Sequence, residues 1–198
     1  AVIIVHTNGF SCDIDPILKL KRKKKFYLIE DCSQAHGAKY RGNPVGSFGD
    51  IAIWSFCQDK IISTGGEGGM ISTNIKKIWS KCWSIKDHGK NYNSVFKKKH
   101  KVGFKWLHSE FGSNYRMTEL QAALGRYQLK KLDQTVKRRN MIAKEYFKGL
   151  KQFYKDNNLI LTPNFKCSKC PRKKSNLFCE LCTHAFYRLN FFLNKKKF

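Results

Sequence analysis

Short apolar runs, separated by charged and glycine-rich stretches, mark the first third of the chain. The runs AVIIV, FYLI and IAIWSF each predict a strand buried in a sheet, because they are short, rich in β-branched or aromatic residues and bounded by polar residues. The stretch GGMISTN predicts a fourth strand.

Helical spacing of apolar residues predicts three helices between and after these strands. The first covers 13–23, with Asp15 as a cap, and the second covers 75–86. The third is a long helical region from 117 to about 151, which Thr118 can cap. This alternation of strands and helices predicts the α/β class, with a mainly parallel sheet flanked by helices.

Composition places the chain among globular proteins, since 41% of its 198 residues are hydrophobic and 14% are aromatic. The formal net charge of +25 would attract phosphates of nucleic acid, anionic lipid or a nucleotide-linked substrate. Lysine clusters such as KLKRKKK, FKKKHK and NKKKF are spread along the chain, which favours a general bias over one designed patch.

The apolar runs are too short to span a bilayer, and the opening residues lack the pattern of a signal peptide. The chain starts without Met on a strand-like run, so we expect an excerpt of a longer cytoplasmic protein that has no membrane span.

One lysine, Lys60, stands between the strand IAIWSF and the glycine cluster STGGEGG. Asp31 ends another predicted strand, and Ser55 precedes the lysine by a few residues. A lysine for a Schiff base, a carboxylate for a pyridine nitrogen and a hydroxyl for a phosphate are the parts of a pyridoxal phosphate (PLP) site. From spacing alone, a solvated loop lysine and a capping aspartate explain the same residues more simply.

Five segments resemble the DegT/StrS family of nucleotide-sugar aminotransferases, which are PLP enzymes of fold type I. They cover most of residues 1–150 in the family's order, and THAFYRLNFFL is a weaker match near the end. The five segments are AVIIVHTNGFSCDIDPI, EDCSQAHGAKYRGNPVGSFGDIAIWSF, SFCQDKIISTGGEGGM, DHGK and FGSNYRMTELQAALGRYQLKKLD.

The resemblance implies a partial chain. Residues 1–150 correspond to part of the large PLP-binding domain, and residues 151–198 to the truncated start of a small C-terminal domain with a cysteine-rich insert. The family's N-terminal portion carries a phosphate-binding loop and an aromatic residue that stacks on the cofactor, and the sequence has neither. We therefore expect this chain to hold the lysine half of the site.

The resemblance also implies a role for each matched residue. Lys60 is expected to bind PLP as a Schiff base and to move the proton during amino transfer. Asp31 is expected to pair with the pyridine nitrogen, and Gln34 to lie near the ring hydroxyl. Ser55 is expected to bind the phosphate, while Asn114 reaches the phosphate of the neighbouring subunit in a homodimer with a shared active site.

The implied reaction moves an amino group from an amino acid, glutamate, to a nucleotide-linked keto sugar in polysaccharide biosynthesis. Some relatives have histidine in place of the lysine and dehydrate their substrate, so Lys60 favours amino transfer. Four residues in matched motifs are expected at the substrate, although His184 is explained equally well as a surface histidine: His88, Arg116, His184 and Tyr187.

Cysteines fall into two groups. Four scattered ones are expected to be free, buried thiols: Cys12, Cys32, Cys57 and Cys82. The pairs CSKC and CELC have spacing that suits a structural zinc ion, with an unusual loop of free thiols as the alternative. The four zinc ligands would be Cys167, Cys170, Cys179 and Cys182.

Two other functions explain parts of the sequence. A basic zinc-knuckle protein that binds nucleic acid would account for the charge and the cysteine pairs, but it would leave the motifs of residues 1–150 unexplained. Because of those motifs, nucleic acid is the disfavoured partner. An inactive partial gene product would account for the missing ends.

Overall fold

The computed structural model describes residues 1–103, 105–155, 159–162 and 181–193, with the side chains of 154–155, 159–162 and 193 left out. In chain order the elements are β1 (Val2–Val5), α1 (Asp15–Lys24), β2 (Leu28–Asp31), β3 (Lys39–Tyr40), β4 (Asn43–Pro44), β5 (Ile51–Ser55), β6 (Gly69–Ser72), α2 (Lys76–Lys86), α3 (Tyr92–Phe96), α4 (Glu119–Lys130), α5 (Leu132–Gly149), α6 (Lys151–Lys155), β7 (Leu159–Thr162) and β8 (Asn190–Leu193).

All four predicted strands are present in one sheet, in the order β1-β2-β5-β6. The first three are parallel, and β6 runs antiparallel to β5. A parallel β6 would need a crossover, usually a helix, to bring the chain back to the starting edge. The link 56–68 contains no helix, so the chain returns along β5 in the opposite direction.

One face of this sheet forms the main core. The register aligns Ile4, Glu30 and Ala52 across three strands, and each is buried. Helix α1 covers this face, since its Ile17 and Leu18 pack against the buried cluster. That cluster consists of Ile4, Ile14, Leu28, Tyr40 and Cys182.

The opposite face, which we call the open face, is aliphatic and carries Ile3, Val5, Ile29, Ile51, Ile53 and Ile71. Side chains alternate between the two faces of a strand, so these residues point away from α1. Ile3 is 63% exposed and Ile71 is 51% exposed. The prediction that β1 is a buried strand is therefore wrong for this face, since its residues Ile3 and Val5 both remain exposed.

The helices differ from the predictions at their ends. The region 117–151 is two helices rather than one, because Lys131 has a ψ of −2° and interrupts the helical path between α4 and α5. Thr118 begins α4 with a capping box, as predicted. Asp15 does not cap α1, because its carboxylate accepts a 3.0 Å hydrogen bond from Arg41 and Ile14 takes the cap position.

The segment 182–187 packs against the first part of the chain. Ala185 and Tyr187 belong to a buried cluster built mainly from residues 32–61. Phe186 packs with Phe10 and with Ala143 of α5. The boundary near residue 150 stays a prediction. No helix in the described ranges is both long and apolar enough to cross a membrane.

Candidate functional site

The carboxyl ends of β2 and β5 bring two of the expected residues to one edge of the sheet. Asp31 is the last residue of β2, and Ser55 is the last residue of β5. The two strands are parallel neighbours, so their carboxyl ends share the edge at which open α/β sheets bind ligands. Lys60 follows Ser55 in the next loop, and its side chain is 15% exposed.

The amine of Lys60 lies between a carboxylate and a phenol. Its Nζ is 3.4 Å from Oδ1 of Asp59 and donates to Oη of Tyr187 over 3.5 Å. The same Nζ lies 4.9 Å from the centre of the Tyr187 ring. Burial would lower the pKa of Lys60, but the contacts with Tyr187 and Asp59 outweigh it and raise this pKa above its usual value. The amine is therefore held as an ammonium.

Local bonds fix the other residues expected at the cofactor. Asp31 Oδ1 accepts from the backbone N–H two residues on, at 2.9 Å. Gln34 Oε1 accepts from the backbone N–H of Asn8 at 2.6 Å, which ties the loop after β2 to the turn after β1. Ser55 Oγ accepts from the backbone N–H of Cys57 over 3.4 Å.

A tight turn after β1 holds residues 182–188, which we call the late segment, against this part of the sheet. Asn8 has a φ of 58° and Gly9 a φ of 85°, both in the left-handed region. A Cβ on Gly9 would lie 2.6 Å from the backbone nitrogen of Tyr187, so only glycine fits there. The Gly9 carbonyl accepts from Ala185 at 2.7 Å. The sequence analysis missed this turn, although Asn-Gly after a strand is a recognised turn signal.

The two late residues expected at the substrate have different surroundings. Tyr187 lies beside Lys60, as described above. His184 is 1% exposed, packs its ring 4.9 Å from that of Phe10 and accepts from the Ser11 backbone N–H over 3.4 Å. Burial lowers the pKa of His184 to about 4. The structure thus places His184 in the interior.

Three further expected residues gather around Asp87 instead of Lys60. Arg116 Nη1 lies 3.6 Å from Asp87 Oδ1, and Arg116 Nε donates to Asn114 Oδ1 at 3.1 Å. His88 follows with a φ of 56°. The hydrogen bonds and ion pairs of the described residues do not join this group to Lys60. The sequence analysis missed Asp87 itself, although it begins the quoted motif DHGK.

A buried acid beside Asp31 was also missed. Glu30 is 0% exposed and accepts hydrogen bonds from the backbone N–H groups of Gly46, Phe48 and Gly49. His6 Nε2 donates to the same carboxylate at 3.1 Å, since its Nδ1 accepts from a backbone N–H at 3.1 Å. The sequence gives no sign that Glu30 is buried, because two acids at the end of a strand usually face solvent.

Two nearby features, the cluster around His6 and the buried side chain of His36, contain possible metal ligands. His6, Glu30 and Cys32 have ligand atoms within 4.8 Å of one another, but both ring nitrogens of His6 already form hydrogen bonds. His36 is 2% exposed and its ring nitrogens have no hydrogen-bond partner of good geometry. Its ring lies 5.5 Å from that of Trp54 at a tilt of 48°, and burial lowers the pKa of His36 to about 4.

A mostly apolar cavity of about 900 Å³ lies between β6, α2 and the segment before α4. Its wall includes Ile53, Met70, Trp79, Trp83, Arg116 and Met117. Lys60, Asp31 and Ser55 do not line it. The candidate site at the sheet edge is therefore distinct from this cavity, although Arg116, expected at the substrate, lines the cavity.

The cysteine prediction is only partly within the described residues. Cys167, Cys170 and Cys179 lie outside them, and Cys182 is buried in the core cluster beneath α1. The four scattered cysteines are free, as predicted, although of these only Cys32 is fully buried.

Comparison with known proteins gives a consistent family. The model of the DegT/DnrJ/EryC1/StrS aminotransferase family matches residues 1–182. The GDP-perosamine synthase of Escherichia coli O157:H7 is 39% identical over 150 residues, which are 76% of this chain and 38% of that protein. A transaminase of Campylobacter jejuni named for UDP-4-amino-4,6-dideoxy-N-acetyl-beta-L-altrosamine is 34% identical. The match covers 95% of this chain and 52% of that protein.

Solved structures agree with the fold. An aminotransferase from Psychrobacter cryohalolentis matches 98% of this chain with a TM-score of 0.86 and 42% identity, and the match covers 47% of that protein. An E. coli GDP-4-keto-6-deoxy-D-mannose-3-dehydratase with bound hydrated PLP has a TM-score of 0.73 and 25% identity. That match covers 97% of this chain and 46% of the dehydratase chain. The chain thus spans about half the length of these relatives or less, and the expected fold type I architecture is confirmed.

Proposed function

Because the chain belongs to the DegT/DnrJ/EryC1/StrS aminotransferase family, we propose that the whole protein is a PLP-dependent aminotransferase acting on a nucleotide-linked keto sugar. An amino acid, glutamate, supplies the amino group. The observation that supports this proposal is that Lys60 lies in the loop directly after the sheet edge that carries Asp31 and Ser55. Relatives named for GDP-, dTDP- and UDP-linked amino sugars support the substrate class.

The residues at this edge fit PLP by their chemistry. An amine, a carboxylate and a hydroxyl stand on the carboxyl ends of two adjacent strands or in the loop that follows them. When bound, PLP supplies an electron sink for the bonds around the amino carbon. Lys60 would hold the cofactor covalently and carry the proton between its two positions, and Asp31 would hold a proton on the pyridine nitrogen.

Three other contacts complete the proposed site. Gln34 would donate to the ring hydroxyl through its side-chain N–H₂ group, while its side-chain oxygen accepts from the backbone of Asn8. Ser55 would bind the phosphate. Asn114, which is exposed, would reach the phosphate of a second subunit in a homodimer.

The rest of the proposal concerns the residues that bind the substrate, the cellular location of the enzyme and the zinc ion. The net charge of +25 would draw a diphosphate-linked sugar to the protein. Arg116 and His88, which are both exposed and lie beside Asp87, would contact this substrate, as would Tyr187 beside Lys60. We place the enzyme in the cytoplasm, in polysaccharide biosynthesis. The cysteine pairs of 167–182 would hold a structural zinc ion.

Reduction with borohydride tests the central step. The whole protein, incubated with PLP, is expected to gain a visible absorbance band that borohydride removes, and peptide mapping should find the fixed cofactor on Lys60. Lys60→Ala should abolish both results, whereas Lys77→Ala, which removes an exposed lysine of α2, should leave both unchanged. Cofactor fixed on other lysines but absent from Lys60 would contradict the proposal.

Amino transfer tests the reaction itself. With glutamate and a nucleotide-linked keto sugar, mass spectrometry should detect the aminated sugar nucleotide together with 2-oxoglutarate. A dehydrated product without incorporated nitrogen would place the enzyme with the dehydratases of the family instead.

A further inference from the structure

Asp59 lies at the centre of a compact polar cluster around the amine of Lys60. The hydroxyl of Tyr187 donates to Asp59 Oδ2. Lys60 Nζ lies 3.4 Å from the other carboxylate oxygen, and it also donates to the Tyr187 hydroxyl over 3.5 Å. Carboxylate, phenol and ammonium thus form a closed triangle. Arg188 Nη2 approaches the carboxylate at 3.8 Å.

The fold fixes Tyr187 independently of Lys60. Its side chain is 9% exposed and packs in the cluster of small apolar residues that includes Ala35 and Ala52. Arg139 of α5 donates through Nη1 to the carbonyls of Phe186 at 3.0 Å and Tyr187 at 3.5 Å. The phenol is therefore a fixed point to which a more mobile group can be attached.

Asp59 is the adjustable member of the cluster. Its side chain is 49% exposed and belongs to the loop that carries Lys60. A half-exposed aspartate next to a lysine ordinarily samples several rotamers and contributes little to its neighbour. The bond from the buried phenol removes that freedom, because it ties one carboxylate oxygen to the core and turns the other toward the amine.

We propose that Tyr187 and Asp59 are positioning residues for Lys60, which keep its amine at the sheet edge as an ammonium until a carbonyl ligand arrives. Asp59 acts on the amine by its charge, and Tyr187 acts on it both through Asp59 and through its own long hydrogen bond. This inference rests on the proposed function for its purpose, since an amine held at that edge is useful to an enzyme that binds its cofactor through Lys60.

The charges around Lys60 support this arrangement. Asp59 approaches from the lysine's own loop, and Tyr187 and Arg188 approach from the late segment. His36, from the loop after β2, is neutral because burial lowers its pKa to about 4. The Asp59 carboxylate is thus the negative charge that the amine contacts, and the cation of Arg188 lies against its other oxygen.

Competitive labelling of lysines measures the state of the amine. The whole protein, free of cofactor, is treated with trace acetic anhydride between pH 7 and pH 11, and mass spectrometry follows the Lys60 peptide relative to the Lys77 peptide. Only the neutral amine reacts, so a lower pKa appears as faster labelling. At pH 8, Asp59→Asn should label Lys60 about three- to tenfold faster, as expected when one charge at contact distance is removed near the surface.

Matched variants separate the members of the cluster. Tyr187→Phe should shift the labelling in the same direction but less. The double variant should fall short of the sum of the two single effects, because part of the effect of Tyr187 passes through the Asp59 carboxylate. Asp59→Glu, which keeps the charge, should restore most of the slow labelling. Asp133→Asn and Tyr27→Phe, at exposed positions, should match the unmodified protein.

Several results would overturn the proposal. Unchanged labelling in both Asp59→Asn and Tyr187→Phe removes the positioning pair, and a change in Asp59→Asn alone removes the role of Tyr187. Additive effects in the double variant would also contradict action through Asp59. The borohydride test decides the proposed function separately: cofactor fixed on Lys60 with unchanged labelling rejects only the pair, and changed labelling without fixed cofactor rejects only the enzyme.

Discussion

Removing the carboxylate of Glu30 is the sharpest test of how the site is built. This side chain is fully buried on the covered face of β2 and accepts four hydrogen bonds, three from the backbone of the 46–49 turn and one from His6. Glu30→Gln keeps the shape but replaces one accepting oxygen with an N–H₂ group, which faces donors. Glu30→Ala removes both acceptors.

The magnitude follows from the donors left without a partner. Each buried donor that loses its acceptor costs about 1–3 kcal/mol. Glu30→Gln strands about two of them and should lower the free energy of unfolding by about 3 kcal/mol, whereas Glu30→Ala strands four and should cost about 5 kcal/mol or more. Domains are stable by about 5–15 kcal/mol, so the alanine variant approaches the limit of folding.

Acid should diminish the difference between the unmodified protein and Glu30→Gln. Burial alone would raise the pKa of Glu30, but the bonds from His6, Gly49, Gly46 and Phe48 outweigh it and lower this pKa below 4.5. A lowered pKa in the folded state means that the ionised group stabilises the fold. That contribution is complete above pH 4.5 and is lost as the pH falls through the folded-state pKa.

Urea unfolding at pH 7 and at pH 4, followed by circular dichroism and tryptophan fluorescence, measures both effects. Trp54, one of four tryptophans, packs against the 46–49 turn, since a Cβ on Gly46 would lie 2.6 Å from its ring, and it therefore adds a signal from the turn to the fluorescence. Glu145→Gln, at an exposed position of α5, serves as the control and should change stability by less than about 0.5 kcal/mol. A similarly small change for Glu30→Gln at pH 7 would refute the reasoning.

Three smaller changes test other parts of the framework by the same unfolding measurement. Gly9→Ala places a Cβ 2.6 Å from the backbone nitrogen of Tyr187 at a φ of 85°, so it should cost at least about 2 kcal/mol and speed the labelling of Lys60; an unaffected protein would show that the turn is not a clamp. Thr118→Ala removes the capping hydroxyl of α4 and should cost about 1 kcal/mol, while a gain in stability would contradict the observed capping box. Asp50→Asn removes a mostly buried carboxylate that accepts from a lysine and from a backbone N–H, both at 2.7 Å, and should cost about 1 kcal/mol at pH 7; unchanged stability would contradict a stabilising role for these two bonds.

The strands could be predicted from the sequence because each is a short apolar run, but their surroundings could not. A run such as AVIIV is equally compatible with two covered faces and with one, and the described residues cover one. The direction of β6 is likewise set by what lies in the link 56–68, where glycines allow a direct return and no helix forms. Local pattern thus fixed element type, and the connections fixed topology.

The site divides in the same way. Strand ends are visible in a sequence, so Asp31, Ser55 and Lys60 could be assigned to one sheet edge before the structure was known. The contact of Lys60 with Tyr187 joins positions 127 residues apart and depends on how the late segment is clamped. Long-range packing of this kind leaves no periodic signal in a single chain.

The adjacent acids of β2 show how a single register decides two roles. Side chains alternate along a strand, so Glu30 and Asp31 must face opposite sides of the sheet. Glu30 is aligned with Ile4 and Ala52 on the covered face, where an ionised group persists only because four donors surround it. Asp31 is aligned with Val5 and Ile53 on the open face, at the edge shared with Ser55. A slip of one residue would exchange the two positions and leave an unpaired acid in the core and the structural acid in the site. The bonds that anchor Glu30 therefore also hold Asp31 on the open face, at the candidate site.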